Sequence, residues 1–380
     1  MSFYAVEIKN LQLMCKSIYN KDVRSRYYKQ HIKRRFVMDK NISYAGKQVN
    51  IGIDVHKSKY AVAVECEGVK AFQGVLPATP QNLIHFIQSR FKGAQVQTVY
   101  EAGFSGFALH RALEESGMRN IVVNPASIEI SQSKVKTDKL DALKLAEQLS
   151  KGMLRGIKIP SPEEESARLL SRTRAQLVDV RKKFVIQMQT KLHYFGLYPA
   201  GVKRLTILLI KEIIEREKIP LELKTTINSL ISAYNYISEE IRKLESELRK
   251  QAQNDKNEKL YRSVPGVGFV AARMLSNELG DLRQFSSAKK LSSFVGLTPT
   301  EHSSGESIRR GHITRQGSAR LRGILNQVSW VAIKRDSFLR DYYDRLKVRC
   351  GAKKAIVAVS HKLLCRMHHM FKFQEEYRSA

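Results

Sequence analysis

Short runs rich in valine and isoleucine constrain the fold of this chain most strongly, and they begin abruptly at Gln48. Three such runs, separated by short polar turns, predict β-strands at 49–55, 60–65 and 69–75. Helical and strand patterns then alternate, predicting helices at 80–91, 107–116 and 137–149 and strands at 96–100 and 121–123, with Thr137 as a helix N-cap. A meander of three strands followed by alternating helices and strands predicts a mixed α/β domain.

This strand-rich region is expected to be one of four segments of the chain. The order of its elements is that of an RNase H-like fold, and the segments are a basic N-terminal extension (1–47), the RNase H-like domain (48–155), a helical coiled-coil region (163–257) and a mainly α-helical C-terminal domain (258–375). The extension is either a basic arm that touches nucleic acid or a leader upstream of a second start at Met38.

The helical region carries a regular apolar seam. Between Leu223 and Leu248 the apolar side chains recur in alternating steps of four and three residues, which is the pattern of a coiled coil. The seam is compatible with an intramolecular antiparallel hairpin and with a dimer stalk. In either case it predicts assembly or spacing and not chemistry.

The chain is strongly basic, and its charge is spread along its length. It has 66 Lys and Arg residues against 36 Asp and Glu residues, a net charge of +30 over 380 residues. A protein with such a positive charge attracts polyanions, so nucleic acids are its expected partners. An apolar fraction of 43% argues against wholesale disorder.

Cysteine spacing and hydropathy argue against several other classes of protein. Cys15, Cys66, Cys350 and Cys365 form no Cys-x-x-Cys pair, so neither a zinc ribbon nor a disulfide framework is expected. The most apolar run, 205–210, is far shorter than the roughly 20 residues of a membrane span. No apolar secretory segment follows the N-terminus. We therefore expect a cytoplasmic protein with no membrane partner.

Four carboxylates lie in contexts that suit a metal-dependent nuclease. Asp54 lies within the first apolar run, Glu101 ends a predicted strand, and Asp138 and Asp141 are three residues apart on a predicted helix, where they share one face. Acids in apolar surroundings are costly unless a cation neutralises them. Two Mg²⁺ ions about 4 Å apart, with Mn²⁺ as an alternative, would do so and would support phosphodiester cleavage. His56 is expected at the rim of this site.

A glycine-rich turn marks the start of the C-terminal region. Gly266 and Gly268 lie in Ser-Val-Pro-Gly-Val-Gly, directly before a predicted helix at 269–279. In a helix-hairpin-helix element such a turn presents backbone N–H groups to a phosphate. A tight turn between two packed helices is the alternative interpretation.

A polar loop at 298–317 combines two serines with a series of arginines. Ser303 and Ser304 precede Gly305, and the arginines that follow are Arg309, Arg310, Arg315, Arg320 and Arg322. Guanidinium groups bind phosphate through a planar fork of donors, and a serine hydroxyl can attack phosphorus. From the residues alone the loop is either a flexible turn or the carrier of a nucleophilic serine. Three helices are predicted after it, near 318–335, 337–348 and 352–371.

Several of these motifs, in this order, carry a resemblance to a known family. They are Ile-Gly-Ile-Asp-Val-His-Lys, Tyr-Glu-Ala-Gly-Phe-Ser-Gly, Lys-Thr-Asp-Lys-Leu-Asp-Ala, Pro-Gly-Val-Gly and the run from Gly-Leu-Thr-Pro through His-Ser-Ser-Gly-Glu to Leu-Arg. Together they resemble the insertion-sequence transposases of the DEDD type, which are related to the Piv DNA invertase. The resemblance covers about residues 48–370.

The resemblance implies a fold, a site and partners. The N-terminal domain would be similar to the RuvC resolvase, with Asp54, Glu101, Asp138 and Asp141 as its metal-binding tetrad. The C-terminal domain would supply a catalytic serine, for which Ser304 matches best and Ser303 is the second choice. Members of the family recombine DNA under the direction of a bridge RNA. They act as homo-oligomers, dimers or tetramers, in which the tetrad of one subunit meets the serine of another.

We therefore expect a site-specific DNA recombinase that mobilises an insertion sequence, binds the element ends and the target DNA, and associates with the bacterial nucleoid when bound to DNA. Two other functions are open. The first is a RuvC-like nuclease or resolvase that uses water in place of serine. The second is a catalytically silent nucleic-acid-binding relic.

Overall fold

The structure is a computed structural model, and it divides into two compact units at the bond between Ile159 and Pro160. It describes residues 43–128, 137–203, 205–216, 218–253, 255–301 and 310–379. Within these ranges no helix has both the length and the apolar character needed to cross a lipid bilayer.

The N-terminal unit is built on one mixed sheet. Its described elements in chain order are β1 (Gln48–Val55), β2 (Lys59–Cys66), β3 (Val69–Pro77), α1 (Pro80–Arg90), β4 (Gln95–Glu101), α2 (Ala108–Glu115), β5 (Arg119–Val123), a 3₁₀ turn (Pro125–Ser127) and α3 (Asp138–Ser150). The predicted mixed α/β architecture is confirmed. Thr137 is the N-cap of α3, as predicted, because its side chain accepts a hydrogen bond from Leu140 N.

The sheet has the strand order β3-β2-β1-β4-β5. The meander pairs β1 with β2 and β2 with β3 in antiparallel fashion, whereas β1 pairs with β4 and β4 with β5 in parallel. Short turns can join antiparallel neighbours, but parallel neighbours need a longer crossover, which α1 and α2 supply in part. This order is consistent with the RNase H-like fold expected from the sequence.

The two faces of the sheet have different cores. Side chains alternate between the faces along each strand, and Ile51, Ile53 and Tyr100 point into the larger core, which includes Leu83 of α1 and Leu113 of α2. The opposite face is covered by α3, whose side chains pack on β1, β2, β4 and β5 in two smaller clusters. The face beneath α3 is the one that carries the predicted acids.

The C-terminal unit is mainly helical, as predicted. Its described elements are α4 (Pro162–Tyr194), α5 (Ile207–Arg216), α6 (Leu221–Gln253), α7 (Lys256–Ser263), α8 (Phe269–Leu279), a 3₁₀ turn (Leu282–Gln284), α9 (Ala288–Val295), β6 (Pro299–Glu301), β7 (Arg310–Ile313), α10 (Ala319–Arg335), α11 (Ser337–Cys350) and α12 (Ala352–Phe373). The helices from α7 to α12 enclose one large apolar core.

The two longest helices, α4 and α6, pack along one another within the chain. They run antiparallel. Arg174 in the first half of α4 bonds Glu245 in the second half of α6, while Met188 near the end of α4 packs with Ile227 near the start of α6. Each helix contains 33 residues. Of the two arrangements that the apolar seam allowed, the intramolecular hairpin is present.

The polar loop predicted at 298–317 contains a short β-hairpin. Strands β6 and β7 pair in antiparallel register, with Pro299 opposite Ile313 and Glu301 opposite Arg310. The Thr300 hydroxyl donates a hydrogen bond to the His312 carbonyl oxygen at 3.0 Å. Strands of three and four residues are too short for an alternating apolar pattern to show in the sequence, so the prediction of a plain loop was wrong here.

Candidate active site

Small residues on the face of the sheet beneath α3 let this helix lie close to the central strands. Gly52 of β1 faces α3, and a methyl group at this position would lie 2.6 Å from Ala146 N and closer still to the Ala142 carbonyl oxygen. On the neighbouring strand, Ala61 and Ala63 pack against Ala142. Only a glycine permits such a close approach of helix and strand backbones.

The strand acids lie on neighbouring ends of the two central strands. Asp54 lies two residues after Gly52 and therefore shares its face of the sheet. Glu101 directly follows Tyr100, which is the parallel partner of Ile53. Asp54 and Glu101 thus occupy adjacent positions where β1 and β4 end.

The helix acids lie in the first turn of α3. Asp138 directly follows the N-cap Thr137, and Asp141 comes three residues later, where the positive end of the helix dipole favours negative charge. Gln73 Nε2 donates a hydrogen bond to the Lys139 carbonyl oxygen at 2.9 Å, which ties this turn to β3. The turn is therefore held at the sheet by a hydrogen bond as well as by the close contact at Gly52.

Asp54, His56 and Asp138 form a compact group. Nε2 of His56 lies 3.2 Å from Oδ2 of Asp54 and 3.2 Å from Oδ2 of Asp138. One ligand atom from each residue lies within 4.8 Å of the others. Lys59 Nζ also contacts Oδ2 of Asp138, at 2.8 Å. Among the described acids, Glu101 and Asp141 lie outside this 4.8 Å group.

The electrostatics of the two aspartates differ. Burial raises the pKa of Asp54 above its ordinary value, and the nearby Asp138 and Asp141 carboxylates raise it further, while His56 acts in the opposite direction. The hydrogen bond from Lys59 lowers the pKa of Asp138, and His56 lowers it as well. Asp141 is thus close enough to repel the Asp54 carboxylate. A cation placed among these groups would relieve that repulsion.

The donor set fits a divalent metal ion. Carboxylate oxygens on a strand end and a capped helix turn are ligands that Mg²⁺ and related ions accept, and the rigid elements fix their spacing. Half-buried acids that repel one another are also the groups that gain most from a bound cation. Asp54 and Asp138 are placed to hold such an ion directly, with Asp141 and Glu101 close to the same face.

Three residues of this site were missed or understated by sequence reasoning. His56 was expected only at the rim, and the contact of its ring with two carboxylates was not predicted. Lys59 was not singled out, and no local pattern marks it. Gly52 could have been found, because a glycine inside an apolar strand often indicates a close backbone approach.

The predicted serine loop lies largely outside the described residues. Ser303, Ser304 and Arg309 fall in the range 302–309, which the structure does not describe, and Arg310 is the first residue of β7. Arg315, just after the hairpin, has a left-handed backbone with φ of 56°.

The two later arginines of the series have internal partners. Arg322 donates hydrogen bonds to the carbonyl oxygens of Val295 and Gly317, at 3.0 and 3.1 Å. Arg320 lies 3.7 Å from the buried carboxylate of Glu278. Arg322 therefore joins the two chain segments from which the β6–β7 hairpin extends.

The two predicted glycines lie in the turn between α7 and α8. Gly266 has φ of 86°, and a methyl group there would lie 2.7 Å from the Val328 carbonyl oxygen on α10. Gly268 is the N-cap of α8, and a methyl group there would meet nothing within 4 Å. Gly266 is thus required for packing, whereas the backbone at Gly268 is open.

Known protein families match both halves of the chain. Residues 51–195 match the DEDD transposase domain of IS110 elements, described as a transposase. Residues 258–344 match the transposase IS116/IS110/IS902 family. The first match contains all four predicted acids, and the second contains the serine–arginine loop.

Individual relatives agree with these matches. The chain is similar to the transposase for insertion sequence element IS1111A of Coxiella burnetii, with 26% identity over 71% of this chain and 76% of the relative. It is 26% identical to the transposase for IS1328 of Yersinia enterocolitica over 59% of this chain and 67% of the relative. It is 24% identical to the transposase for IS1533 of Leptospira borgpetersenii over 86% of this chain and 96% of the relative. With both transposase domains in the order seen here, the chain belongs to the IS110/IS116 family of insertion-sequence transposases.

Proposed function

We propose that this transposase cuts and rejoins DNA at the ends of its element with a metal site formed by Asp54, Glu101, Asp138 and Asp141 and a nucleophilic serine, Ser304. The observation that carries the proposal is the convergence of Asp54 and Asp138, from β1 and α3, into one group of ligand atoms within 4.8 Å. The packing of α3 onto Gly52 supports it, because this packing positions the helix acids at the strand ends.

Each protein group has a role in the proposed reaction. The four acids would hold two divalent ions, Mg²⁺ or Mn²⁺, which would supply positive charge to stabilise the oxygens of the reacting phosphate. The Ser304 hydroxyl oxygen bonds to phosphorus as the bond from phosphorus to a deoxyribose oxygen breaks. The serine proton is transferred to that leaving oxygen. A deoxyribose hydroxyl of the partner strand then attacks the phosphoserine, which rejoins DNA and restores the serine.

Basic side chains and the open turn would hold the nucleic acid. Arg309, Arg310 and Arg315 would bind the phosphate at the reacting centre, and Arg320 would bind nucleic acid next to them. The turn between α7 and α8 is proposed to act as a helix-hairpin-helix element in which the backbone at Gly268 approaches a DNA phosphate. Its open surroundings support this role.

We further propose that the chain acts as a dimer or tetramer directed by a bridge RNA, with the α4–α6 hairpin as a coiled-coil spacer. The tetrad of one subunit would then act together with the serine of another. The net charge of +30 supports simultaneous binding of DNA and RNA.

A covalent adduct tests the serine. Wild-type protein, Ser304→Ala and the matched control Ser303→Ala are incubated with donor DNA, guide RNA and Mg²⁺, and adducts are resolved by denaturing electrophoresis. We expect the adduct in wild type and in Ser303→Ala and its loss in Ser304→Ala. An undiminished adduct in Ser304→Ala would refute the assignment.

The same assay separates the two other functions. A RuvC-like nuclease that uses water would cleave the DNA without any adduct. A silent relic would show no strand cleavage, and Asp54→Asn would then leave the behaviour of the protein toward DNA unchanged.

A further inference from the structure

We propose that His56 is a ligand of the metal site, so that the site holds its ion with one imidazole nitrogen as well as carboxylate oxygens and prefers a transition-metal ion such as Mn²⁺ to Mg²⁺. This inference rests on the proposed metal site and adds to it the identity of a ligand and the class of ion. The tetrad of acids alone would offer only oxygen.

The position of the imidazole nitrogen suits a shared ion. Nε2 of His56 is equidistant, at 3.2 Å, from Oδ2 of Asp54 and from Oδ2 of Asp138. Two ligand atoms at right angles on one ion lie about 3 Å apart when each bond is about 2.1 Å long. A single N–H group, by contrast, cannot point straight at two acceptors at once. The His56 nitrogen is therefore spaced from each of the two carboxylate oxygens as a neighbour in one coordination sphere would be.

The backbone holds the ring in this position. His56 lies in the tight turn between β1 and β2, two residues after Asp54, and its backbone N–H donates a hydrogen bond to the Lys59 carbonyl oxygen at 3.0 Å. The last paired residues before the turn are Val55 and Tyr60. Because the turn closes a regular antiparallel ladder, the backbone fixes where the His56 side chain starts, next to Asp54.

Lys59 contributes in another way. Its ammonium group contacts the same oxygen of Asp138 at 2.8 Å and has no lone pair to offer a metal ion while it is protonated. It therefore acts as a counter-ion that keeps the Asp138 carboxylate charged and fixed. His56 is the neighbour of both acids that can offer an electron pair.

The ligand set determines the class of ion. Imidazole nitrogen binds transition-metal ions well, whereas Mg²⁺ prefers oxygen and retains several of its waters. Replacing His56 should thus weaken the binding of a transition-metal ion much more than the binding of Mg²⁺. Even the loss of a group that only orients a ligand lowers metal affinity by about 10- to 100-fold in metalloproteins.

The test uses Mn²⁺ alone as the probe and the full chain. Free Mn²⁺ is titrated by electron paramagnetic resonance, and pulsed spectra of the bound ion report a directly bonded ¹⁴N nucleus. His56→Gln is compared with His85→Gln, which alters an exposed histidine of α1 in the same unit. Protein labelled with ¹⁵N-histidine provides a second measurement that does not depend on the folding of a variant.

We expect nitrogen coupling in wild type and in His85→Gln, a change to ¹⁵N coupling in the labelled protein, and no coupling in His56→Gln. The affinity of His56→Gln for Mn²⁺ should fall at least about tenfold, while that for Mg²⁺, measured by competition, changes by less than about twofold. Bound Mn²⁺ without nitrogen coupling in wild type overturns the role of His56 and leaves the acid site intact. Failure of wild type to bind Mn²⁺ more tightly than Asp54→Asn overturns the metal site itself.

Discussion

Replacing Gly52 by alanine should damage both the stability of the N-terminal unit and its metal site. The added methyl group would lie 2.6 Å from Ala146 N and 2.9 Å from the Leu145 Cβ, whereas ordinary contacts begin at 3.4 Å. The contact with the Ala142 carbonyl oxygen would be shorter still, so helix α3 must move away from the sheet by at least about 1 Å. Forcing extra volume into a packed site costs about 1–3 kcal/mol of unfolding free energy, and contact with backbone places this case at the upper end.

The displacement matters for function because the first turn of α3 carries Asp138 and Asp141. A misplacement of about 1 Å at a reacting centre can lower a rate by about 100-fold. We expect Gly52→Ala to melt roughly 10 °C below wild type. Its affinity for Mn²⁺ should fall at least tenfold and its DNA cleavage about 100-fold.

Thermal melting, Mn²⁺ titration and a cleavage assay are run side by side on Gly52→Ala and Gly156→Ala. The control adds a methyl group in the same unit, where its closest contact is an ordinary 3.5 Å from the Ile121 Cβ. It should behave as wild type in all three assays. If Gly52→Ala melts within about 1 °C of wild type and binds Mn²⁺ equally well, the close approach of α3 does not position the acids.

Further predictions concern the C-terminal unit and DNA binding. Burial raises the pKa of Tyr377, whose hydroxyl donates to buried Asp336, to about 12. As the pH rises, the unfolded chain therefore loses the Tyr377 proton before the folded chain does. The contribution of Tyr377 to stability is present below about pH 10 and is lost between about pH 10 and 12. Across that range, denaturant titration should show that wild type loses about 1 kcal/mol more unfolding free energy than Tyr377→Phe does. Arg322→Gln removes two hydrogen bonds, to the carbonyl oxygens of Val295 and Gly317, and should lower stability by about 1–3 kcal/mol. The salt dependence of DNA binding should not change. If the slope of log affinity against log salt concentration falls by about one, Arg322 contacts a phosphate. For wild type, affinity for DNA should fall by about 10³- to 10⁵-fold between 50 and 200 mM salt if six or more phosphates are contacted, and a flat profile in a mobility assay would contradict this.

Much of the N-terminal fold could be predicted from local patterns. The strands of the meander carry enough Val and Ile for their period to be read directly, and Thr137 precedes a helical pattern that it can cap. The acids stood out for the same reason, since Asp54 interrupts an apolar run. These features depend on neighbouring residues in the chain, which is why a single sequence reveals them.

The parts that escaped prediction depend on distant contacts. The position of the His56 ring follows from how α3 packs on the sheet, 80 or more residues away along the chain. Lys59 meets Asp138 for the same reason. The internal partners of Arg322 likewise follow from the packing of α9 and α10 and could not be read from its sequence context, while its contact with phosphate stays a prediction.

The paired helices α4 and α6 form a rod whose length can be changed in whole steps. At 33 residues each, they extend about 50 Å. An apolar cluster holds the end where α4 finishes and α6 begins, and the ion pair between Arg174 and Glu245 joins the two helices in their other half. Inserting seven residues into both helices would lengthen the rod by about 10 Å with the same faces still in register. The length of the helix pair can therefore be changed without redesigning either end.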